Sequence, residues 1–408
     1  MPTVFPSVFE VDLPEISPFD AAYEADPHGV NATVREGSWV ARTPFGIEIT
    51  RYSEVQMVLR DRRFQMPVGL GLSLQGITSG KIWDRTSNGI LSLDGERHTR
   101  LRRLVAQGFT PRATDRLRPY MRDVINELVD TVSPRGECDL VADITEQYPI
   151  PIVCALLGAP REDWKLFSSW TDDIFLIFNF NVVADTPVIE RAMDELDEYL
   201  DAMIERRRST PADDLLTDLI AAEDAGDRLT HDELLSLVSA VLLAGTDTTR
   251  NQLAATVQLF CDHPEQWALL GKQPELAPRV VEEAMRYFPI IFGTVRVARE
   301  DVELNGLTIP AGTMVSVSTA AANRDPRVFG DGSASFDITR EQPAPHFTFG
   351  GGIHYCLGAQ LAKAELAEAL PILARRLPGI VRTGDAPWKP VMGISGPLSL
   401  PVRFEAGH

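Results

Sequence analysis

The residue with the clearest chemical potential in this chain is a cysteine that follows a run of glycines. Residues 349–358 read FGGGIHYCLG, which places Cys356 just before a segment, residues 359–370, that is built from strong helix formers. Near a helix N-terminus, backbone N–H groups and the helix dipole lower the pKa of a thiol and favour the thiolate. Glycines permit positive φ angles and let the backbone approach a flat, bulky group. The segment therefore predicts a thiolate presented to a planar macrocycle with iron at its centre.

Two other interpretations of Cys356 stay open on these residues alone. A lone cysteine is most often a buried structural residue, although that interpretation does not explain the glycines together with Phe349 and His354. Cys356 as a nucleophile with His354 as its base would suit a cysteine hydrolase. Side chains two residues apart in a tight loop are, however, poorly placed for a catalytic triad.

A second unusual segment lies in the middle of a long predicted helix. Thr230 with Glu233 three residues later forms a capping box, and the apolar pattern then continues to about Cys261. The central residues 244–249 read AGTDTT. Glycine destabilises a helix interior by roughly 1 kcal/mol, and threonine hydroxyls can bond to preceding carbonyls and bend the axis. These residues at the centre of a buried helix predict a functional distortion.

These segments resemble the signature motifs of the cytochrome P-450 superfamily. Residues 349–358 match F-G-x-G-x-H-x-C-x-G, residues 244–249 match A/G-G-x-D/E-T-T, and residues 283–286 (EAMR) supply an E-x-x-R in the family's order. The resemblance extends from about Pro18 to Phe404. It implies a mainly α fold, an α-rich triangular prism with a small β-rich subregion. It also implies a soluble bacterial monooxygenase that inserts one oxygen atom of O2 into an apolar molecule.

The resemblance assigns roles to individual residues. Cys356 is expected to ligate the iron of haem b, with a thiolate that favours O–O cleavage. Asp247 and Thr248 are expected to deliver the protons that oxygen activation requires while bulk water stays out. Four basic residues, His98, Arg102, Arg296 and His354, are expected to bind the haem propionates. The other expected haem contacts are Ala244, Gly245, Phe349 and Gly358.

The resemblance also implies a structural triad of Glu283, Arg286 and Arg340 behind the haem. A spacing of three places Glu283 and Arg286 on one helix face, but such pairs are common on surface helices, so their order along the chain carries the assignment. If the triad is buried, removal of Arg286 strands a charge at a cost of roughly 3 to 5 kcal/mol.

Substrate contacts are expected in mainly apolar segments. Residues 64–93 contain several glycines and predict a mobile lid, and residues 174–180 would cover the pocket. We expect an apolar small molecule such as a terpenoid, steroid, lipid or alkyl-aromatic compound. Whether Lys81 or Arg85 binds a substrate carboxylate stays open. The expected contacts are Leu72, Phe178, Leu243, Ile291, Phe292 and Ile394.

Composition argues against several other classes of protein. The formal net charge of -19, from 39 Lys+Arg and 58 Asp+Glu residues, disfavours binding to nucleic acid or to anionic membranes. The four cysteines include no C-x-x-C pair, which argues against a disulfide framework or a zinc site. No segment reaches the roughly 18 apolar residues of a membrane span. We therefore expect a cytoplasmic protein with one catalytic domain over residues 1–408, in which residues 1–17 form a loosely ordered extension.

Basic residues near the expected thiolate predict a docking surface for an acidic electron donor. No fused flavin region or G-x-G-x-x-G motif is evident, so the expected partners are a ferredoxin and a ferredoxin reductase, with NAD(P)H as the ultimate donor. Peroxide-driven oxygenation and a haem-based sensor or ligand carrier are alternatives, which Asp247 and Thr248 disfavour. The basic residues are Arg97, His98, Arg100, Arg102, Arg103, Arg112, Lys363, Arg375 and Arg376.

Overall fold

Helices make up most of the computed structural model, which describes residues 5–225 and 229–406. The α-helices of these residues are α1 (Ala21–Ala25), α2 (Pro27–Gly37), α3 (Tyr52–Arg60), α4 (Lys81–Asn88), α5 (Gly95–Val105), α6 (Pro111–Val132), α7 (Pro149–Leu157), α8 (Trp164–Phe175), α9 (Val182–Ser209), α10 (Leu215–Asp224), α11 (His231–Asp262), α12 (Pro264–Lys272), α13 (Ala277–Tyr287), α14 (Thr319–Asn323), α15 (Pro326–Phe329) and α16 (Ala359–Arg376).

Short strands form three small sheets within the described ranges. The strands are β1 (Val40–Thr43), β2 (Gly46–Ile49), β3 (Phe64–Gln65), β4 (Glu137–Asp139), β5 (Gly293–Ala298), β6 (Val302–Leu304), β7 (Leu307–Ile309), β8 (Met314–Ser318), β9 (Val381–Arg382) and β10 (Pro401–Arg403). The largest sheet has the order β1-β2-β8-β5-β3, and the others have the orders β4-β10-β9 and β6-β7. Only β2 and β8 pair in parallel among these neighbours. A helical body with a minor sheet region confirms the mainly α expectation.

Helix α11 is the central element, and its start is fixed by the predicted capping box. The Thr230 hydroxyl accepts from the Glu233 N–H at 3.3 Å, and the Glu233 carboxylate accepts from the Thr230 N–H at 3.2 Å. The helix has 32 residues, which at about 1.5 Å per residue makes it roughly 48 Å long. Most of its apolar residues belong to the main hydrophobic core, together with residues of α6, α7, α9 and α16.

Two antiparallel hairpins join consecutive strands of the sheet region. β1 and β2 pair from Val40 opposite Ile49 to Thr43 opposite Gly46. Asn305 and Gly306 connect β6 to β7 with φ angles of 47° and 81°. A two-residue hairpin turn requires positive φ at both positions, which explains the asparagine and the glycine.

Residues 5–17 differ from the expected loose extension. Ser7 forms an isolated β-bridge with Thr308 and Glu15 forms another with Arg42. Val8 and Ile16 are buried in the second and third apolar clusters. Burial of these apolar side chains and the backbone bonds to β7 and β1 hold this segment on the sheet region. Residues 1–4 lie outside the described residues.

A search of the described helices finds none with the length and apolar character required to cross a lipid bilayer.

Candidate active site

The loop before α16 holds Cys356 in a fixed backbone conformation. The Cys356 N–H donates to the Phe349 carbonyl at 2.9 Å, which closes the loop. Gly350 and Gly352 have φ angles of 69° and 66°, a region that favours glycine. A Cβ atom at Gly352 would lie 2.1 Å from the Leu59 carbonyl oxygen. The glycines are therefore required both by the turn and by the close approach of α3.

The pKa of the Cys356 thiol differs from the sequence prediction. Burial raises this pKa above its ordinary value, and this effect exceeds the lowering by N–H groups of Gly358 and Ala359 and by the Arg102 guanidinium. The residue is nevertheless partly accessible to solvent. One side of Cys356 therefore faces open space, while protein atoms pack around the rest of the thiol. The helix terminus alone does not produce a thiolate here. A bound metal ion would do so, because a coordinated thiol is deprotonated.

The central turn of α11 has an accessible face inside an otherwise buried helix. Ala244 is exposed and Thr248 is half-buried, whereas Leu242, Thr246 and Asp247 are buried. An accessible alanine at the middle of a core helix indicates an internal space beside it. Ala244 and Thr248, one helical turn apart, face this space.

The helix is continuous from His231 to Asp262, and the expected distortion of its axis remains a prediction. The Thr248 hydroxyl donates to the Ala244 carbonyl at 2.8 Å, the kind of bond to a preceding carbonyl that can bend a helix. Gly245 serves the packing of α11 on α7, because a Cβ atom there would lie 2.5 Å from Val153 Cγ2. This helix packing is sufficient to explain a glycine at position 245. The assignment of Gly245 as a haem contact remains a prediction.

Asp247 is buried in a network of charges and amides. Its Oδ1 accepts from Arg250 Nε at 2.7 Å, from Asn251 Nδ2 at 2.9 Å and from Lys389 Nζ at 3.2 Å. Arg250 also pairs with Asp172 of α8, whose side chain is exposed. Asp172, Arg250 and Lys389 line a cleft of about 200 Å³. The network therefore connects a buried carboxylate to a surface cleft.

The residues expected to bind the haem propionates lie close to the cysteine loop. Arg296 is only 3% exposed and its guanidinium contacts Met66 Sδ, Thr294 Oγ1 and the Val295 carbonyl. No carboxylate pairs with it among the described residues, and burial lowers its pKa to about 10. A buried arginine without a counter-ion is costly, so the site fits an anionic group.

Two histidines and a second arginine complete this group. The His354 ring lies 4.4 Å from the His98 ring between centroids, and His354 Nε2 is 2.9 Å from Asp94 Oδ1. Burial, followed by His354 and Arg102, lowers the pKa of His98 to about 4. Arg102 donates to the Tyr355 carbonyl in the cysteine loop. Arg296 and His354 line a pocket of about 460 Å³. The unpaired guanidinium and the accessible thiol together fit a haem with two propionates.

Glu283, Arg286 and Arg340 are brought together behind this site. Arg286 and Glu283 are fully buried and form a two-bond pair at 2.7 and 2.9 Å. Arg286 also donates to carbonyls of residues 323, 333 and 335, and Arg340 Nε donates to Glu283 at 3.3 Å. The network fastens α13 to the segment that leads to the cysteine loop.

Substrate-contact candidates fall into two groups. Leu72, Leu243 and Phe292 are buried, and Phe178, Ile291 and Ile394 are half-buried. Phe178 packs on the backbone of Gly393, where a Cβ atom would lie 3.0 Å from Phe178 Cβ.

Ion pairs already engage the two cations considered as carboxylate anchors. Lys81 pairs with Asp194, and Arg85 pairs with Asp197. A substrate carboxylate would have to displace these side chains of α9. The pairs instead connect α4, in the expected lid, to α9.

The structure divides the expected docking residues. Arg97 and Arg100 pair with Glu233 of α11, so they join α5 to α11. Lys363 pairs with Glu282 and Arg376 with Asp130. Arg103 and Arg112 are exposed, and the ion pairs among the described residues include neither. They remain candidates for docking, with exposed Ile353 and Tyr355 of the cysteine loop.

Sequence reasoning missed one buried acid close to α11. Glu365 of α16 is 1% exposed, and its Oε2 accepts from the Thr249 hydroxyl at 3.1 Å. Its Oε1 has no hydrogen-bond partner among the described residues, and burial raises its pKa to about 8. A glutamate at an apolar position of the pattern AELAEAL was the available signal.

Comparisons with known proteins point to one family. A family model described as "Cytochrome P450" matches residues 78–270 and 272–393. Luteothin monooxygenase of Streptomyces thioluteus is 39% identical over 397 residues, 97% of each chain. Mycinamicin IV hydroxylase/epoxidase of Micromonospora griseorubida is 39% identical over 393 residues, 92% of this chain and 96% of that protein. Among solved structures, CalO2 superposes with a TM-score of 0.91 at 30% identity, over 97% of this chain and 100% of that chain. The epothilone D-bound cytochrome P450epoK gives 0.88 at 30% identity, over 96% and 100%.

Proposed function

Because this chain belongs to the cytochrome P450 family of monooxygenases, we propose that it oxygenates a bulky, mainly apolar secondary metabolite. The observation that supports the oxygenation chemistry most directly is the accessible Cys356 thiol, held by a glycine loop, together with the buried, unpaired Arg296 as a partner for an anionic group. The names of similar proteins support the substrate class. Curated relatives are named for luteothin and mycinamicin IV, and one similar structure holds epothilone D. These names favour a secondary metabolite over the terpenoid, steroid, lipid or alkyl-aromatic compounds expected from the sequence.

Haem b, when bound, would supply the iron that activates O2 for transfer of one oxygen atom to the substrate. Cys356 would hold the iron, and Arg102, Arg296, His98 and His354 would bind the propionates. Attraction between Arg296 and a propionate carboxylate would offset the desolvation penalty of this buried guanidinium, which favours that assignment. Phe349 and Gly358 lie at the two ends of the loop that presents the cysteine.

Asp247 and Thr248 would control protons on the other side of the site. The Thr248 hydroxyl bonds to the Ala244 carbonyl, so it is oriented beside the accessible face of α11. Asp247 lies one residue away and connects through Arg250 and Lys389 to the surface cleft. A carboxylate at this position can take protons from the cleft and pass them to the hydroxyl while the helix excludes bulk water.

Electrons would arrive from a ferredoxin and its reductase, supplied by NAD(P)H. A chain with a net charge of -19 would repel an acidic partner at long range. The exposed Arg103 lines a pocket together with Ile353 of the cysteine loop, and the exposed Arg112 follows on α6, so we expect a local basic and apolar surface that also includes Tyr355. Such a surface is suited to a small acidic electron carrier.

The visible spectrum of the reduced, CO-treated holoprotein tests the proposed haem ligation. We expect a strongly red-shifted Soret band that Cys356→Ser abolishes. Cys261→Ser is the matched control, since Cys261 is a half-buried cysteine at the far end of α11. A red-shifted band that survives Cys356→Ser would refute the proposed ligand.

Ligand titrations test the substrate class. Luteothin and mycinamicin IV are compared with camphor and testosterone, and the conversion of ferric iron from low to high spin is recorded for each. We expect luteothin and mycinamicin IV to give lower dissociation constants and a larger high-spin fraction at saturation. A lower dissociation constant for camphor or testosterone would contradict the proposed substrate class and favour the class expected from the sequence.

A further inference from the structure

A hairpin near the C-terminus, residues 387–398, contacts both residues 174–180, which are expected to cover the pocket, and the buried Asp247. We call it the C-terminal hairpin. Trp388 and Pro397 form a bridge at its base, and the Lys389 N–H donates to the Gly396 carbonyl at 2.9 Å. The Ser395 hydroxyl donates to the Lys389 carbonyl at 3.0 Å. These bonds make the base of the hairpin a defined unit.

The tip of the C-terminal hairpin contacts the segments expected to bind substrate. Gly393 has a φ angle of 78° and packs directly against Phe178. The Ser395 N–H donates to the Ile290 carbonyl at 2.8 Å, next to Ile291. Ligand bulk near Phe178 or Ile291 would therefore press on residues 391–394.

The base of the same hairpin contacts the acid network. Lys389 Nζ lies 3.2 Å from Asp247 Oδ1, and the lysine side chain is 26% exposed toward the cleft. A Cβ atom at Gly396 would lie 2.3 Å from Asn251 Oδ1, so the hairpin backbone touches the residue that also bonds Asp247. Residues 390–392 separate Lys389 from the tip contact at Gly393, so a shift of the tip is transmitted to Lys389 over a short distance.

We propose that Lys389 is a positioning residue, which ties the substrate-contacting tip of the C-terminal hairpin to Asp247 and so makes the placement of this acid depend on the ligand in the pocket. The proposal rests on the proposed function, in which Asp247 delivers protons. Arg250 and Asn251 hold Asp247 from its own helix, whereas Lys389 bonds Asp247 directly from the hairpin.

Thermodynamic reciprocity gives a direct test. If a bulky ligand weakens the Lys389–Asp247 pair, the pair must weaken binding of that ligand by the same factor, so removal of the pair should increase the affinity for the ligand. The affinity for a ligand too small to reach the tip should not change. Both probes are azoles that bind haem iron: clotrimazole, which carries three aryl groups, and imidazole, which carries none. The measured quantity is the dissociation constant from the Soret shift.

We expect Lys389→Met to tighten clotrimazole binding by about fivefold, within the usual range of coupling between sites, and to leave imidazole binding within twofold of the wild type. Lys389→Arg retains the charge and should restore the wild-type clotrimazole affinity. Lys272→Met, an exposed lysine at the end of α12, is the matched control and should change neither constant.

The outcomes separate this proposal from the proposed function. An equal clotrimazole affinity in the wild type and Lys389→Met, an equal change for both azoles, or no clotrimazole binding to a protein that binds imidazole would overturn the role of Lys389. None of these results would affect haem ligation by Cys356, which the CO spectrum reports. Loss of that spectrum in the wild type would instead refute the proposed function.

Discussion

Replacement of Arg286 by alanine tests whether the buried network behind the site controls the stability of the fold. The Arg286 side chain is fully buried and makes two bonds to Glu283 and three to backbone carbonyls, all within 3.0 Å. The substitution removes every one of these donors. It also leaves the buried Glu283 carboxylate with Arg340, Gln342 and the Asp337 N–H as its partners.

The expected loss in the free energy of unfolding is roughly 3 to 5 kcal/mol, the usual cost of removing one partner from a buried ion pair. Retention of Arg340 beside Glu283 reduces this cost, whereas three carbonyls without a donor increase it by about 1 kcal/mol or more each. An unfolding entropy of about 2.1 cal/mol/K per residue converts the loss into a decrease of roughly 4 to 6 °C in melting temperature.

The same helix offers a matched control. Arg279 is also on α13 and pairs with Glu341 at 3.7 Å, but both side chains are largely exposed. An exposed pair contributes about 0 to 1 kcal/mol, so Arg279→Ala should shift the melting temperature by about 1 °C or less. Melting of the three holoproteins is followed by far-UV circular dichroism at one heating rate. Equal melting temperatures for Arg286→Ala and Arg279→Ala would refute the argument that burial makes the first pair essential.

Three further predictions concern charge and pH. Arg103→Glu with Arg112→Glu should slow reduction by a ferredoxin about tenfold at low salt, whereas Arg161→Glu with Arg191→Glu, an equal charge change at exposed sites in other segments, should not; equal rates would remove the docking surface. Burial raises the pKa of Glu365 from 4.5 to about 8, so the folded state retains a proton that the unfolded state has released. Stability should therefore fall as pH rises through this window, and Glu365→Gln should reduce the fall in urea midpoint between about pH 6 and pH 9. Hydrogen bonds to Asp201 and Glu223 raise the pKa of His231, so its contribution is present below its unfolded pKa and is lost as pH rises through the folded pKa; His231→Asn should lower the urea midpoint at about pH 5.5 and leave it unchanged at about pH 9.

Local sequence signals predicted the elements that depend on neighbours in the chain. Thr230 and Glu233 predicted the start of α11, because a capping box is a pair of bonds within a few residues. The motif around Cys356 indicated the loop and the helix that follows it. The sign of the pKa shift at Cys356 was wrong, because burial by distant segments outweighs the local N–H groups.

Long-range pairings that no family motif marks were outside the reach of the sequence. Arg97 and Arg100 were expected to face a partner protein, but Glu233, more than 130 residues later, binds both. Lys389 lies 142 residues from Asp247 and carries no motif that marks it. Such pairs depend on which helix faces are brought together by packing, which no spacing within one segment encodes.

Helix α11 shows how the fold turns this long-range packing into a site. Its central turns bury Asp247, Thr249, Arg250, Asn251 and Gln252, a set that would destabilise an ordinary core helix unless every polar group had a partner. The partners come from separate parts of the chain: Asp172 from α8, Glu365 from α16 and Lys389 from the C-terminal hairpin. Because each partner satisfies a different residue of α11, the orientation of Asp247 depends on the correct docking of several elements at once. The placement of Asp247 therefore depends on the fold of the whole chain. We expect a substitution at Asp172, Glu365 or Lys389 to impair proton delivery more than it impairs haem ligation by Cys356.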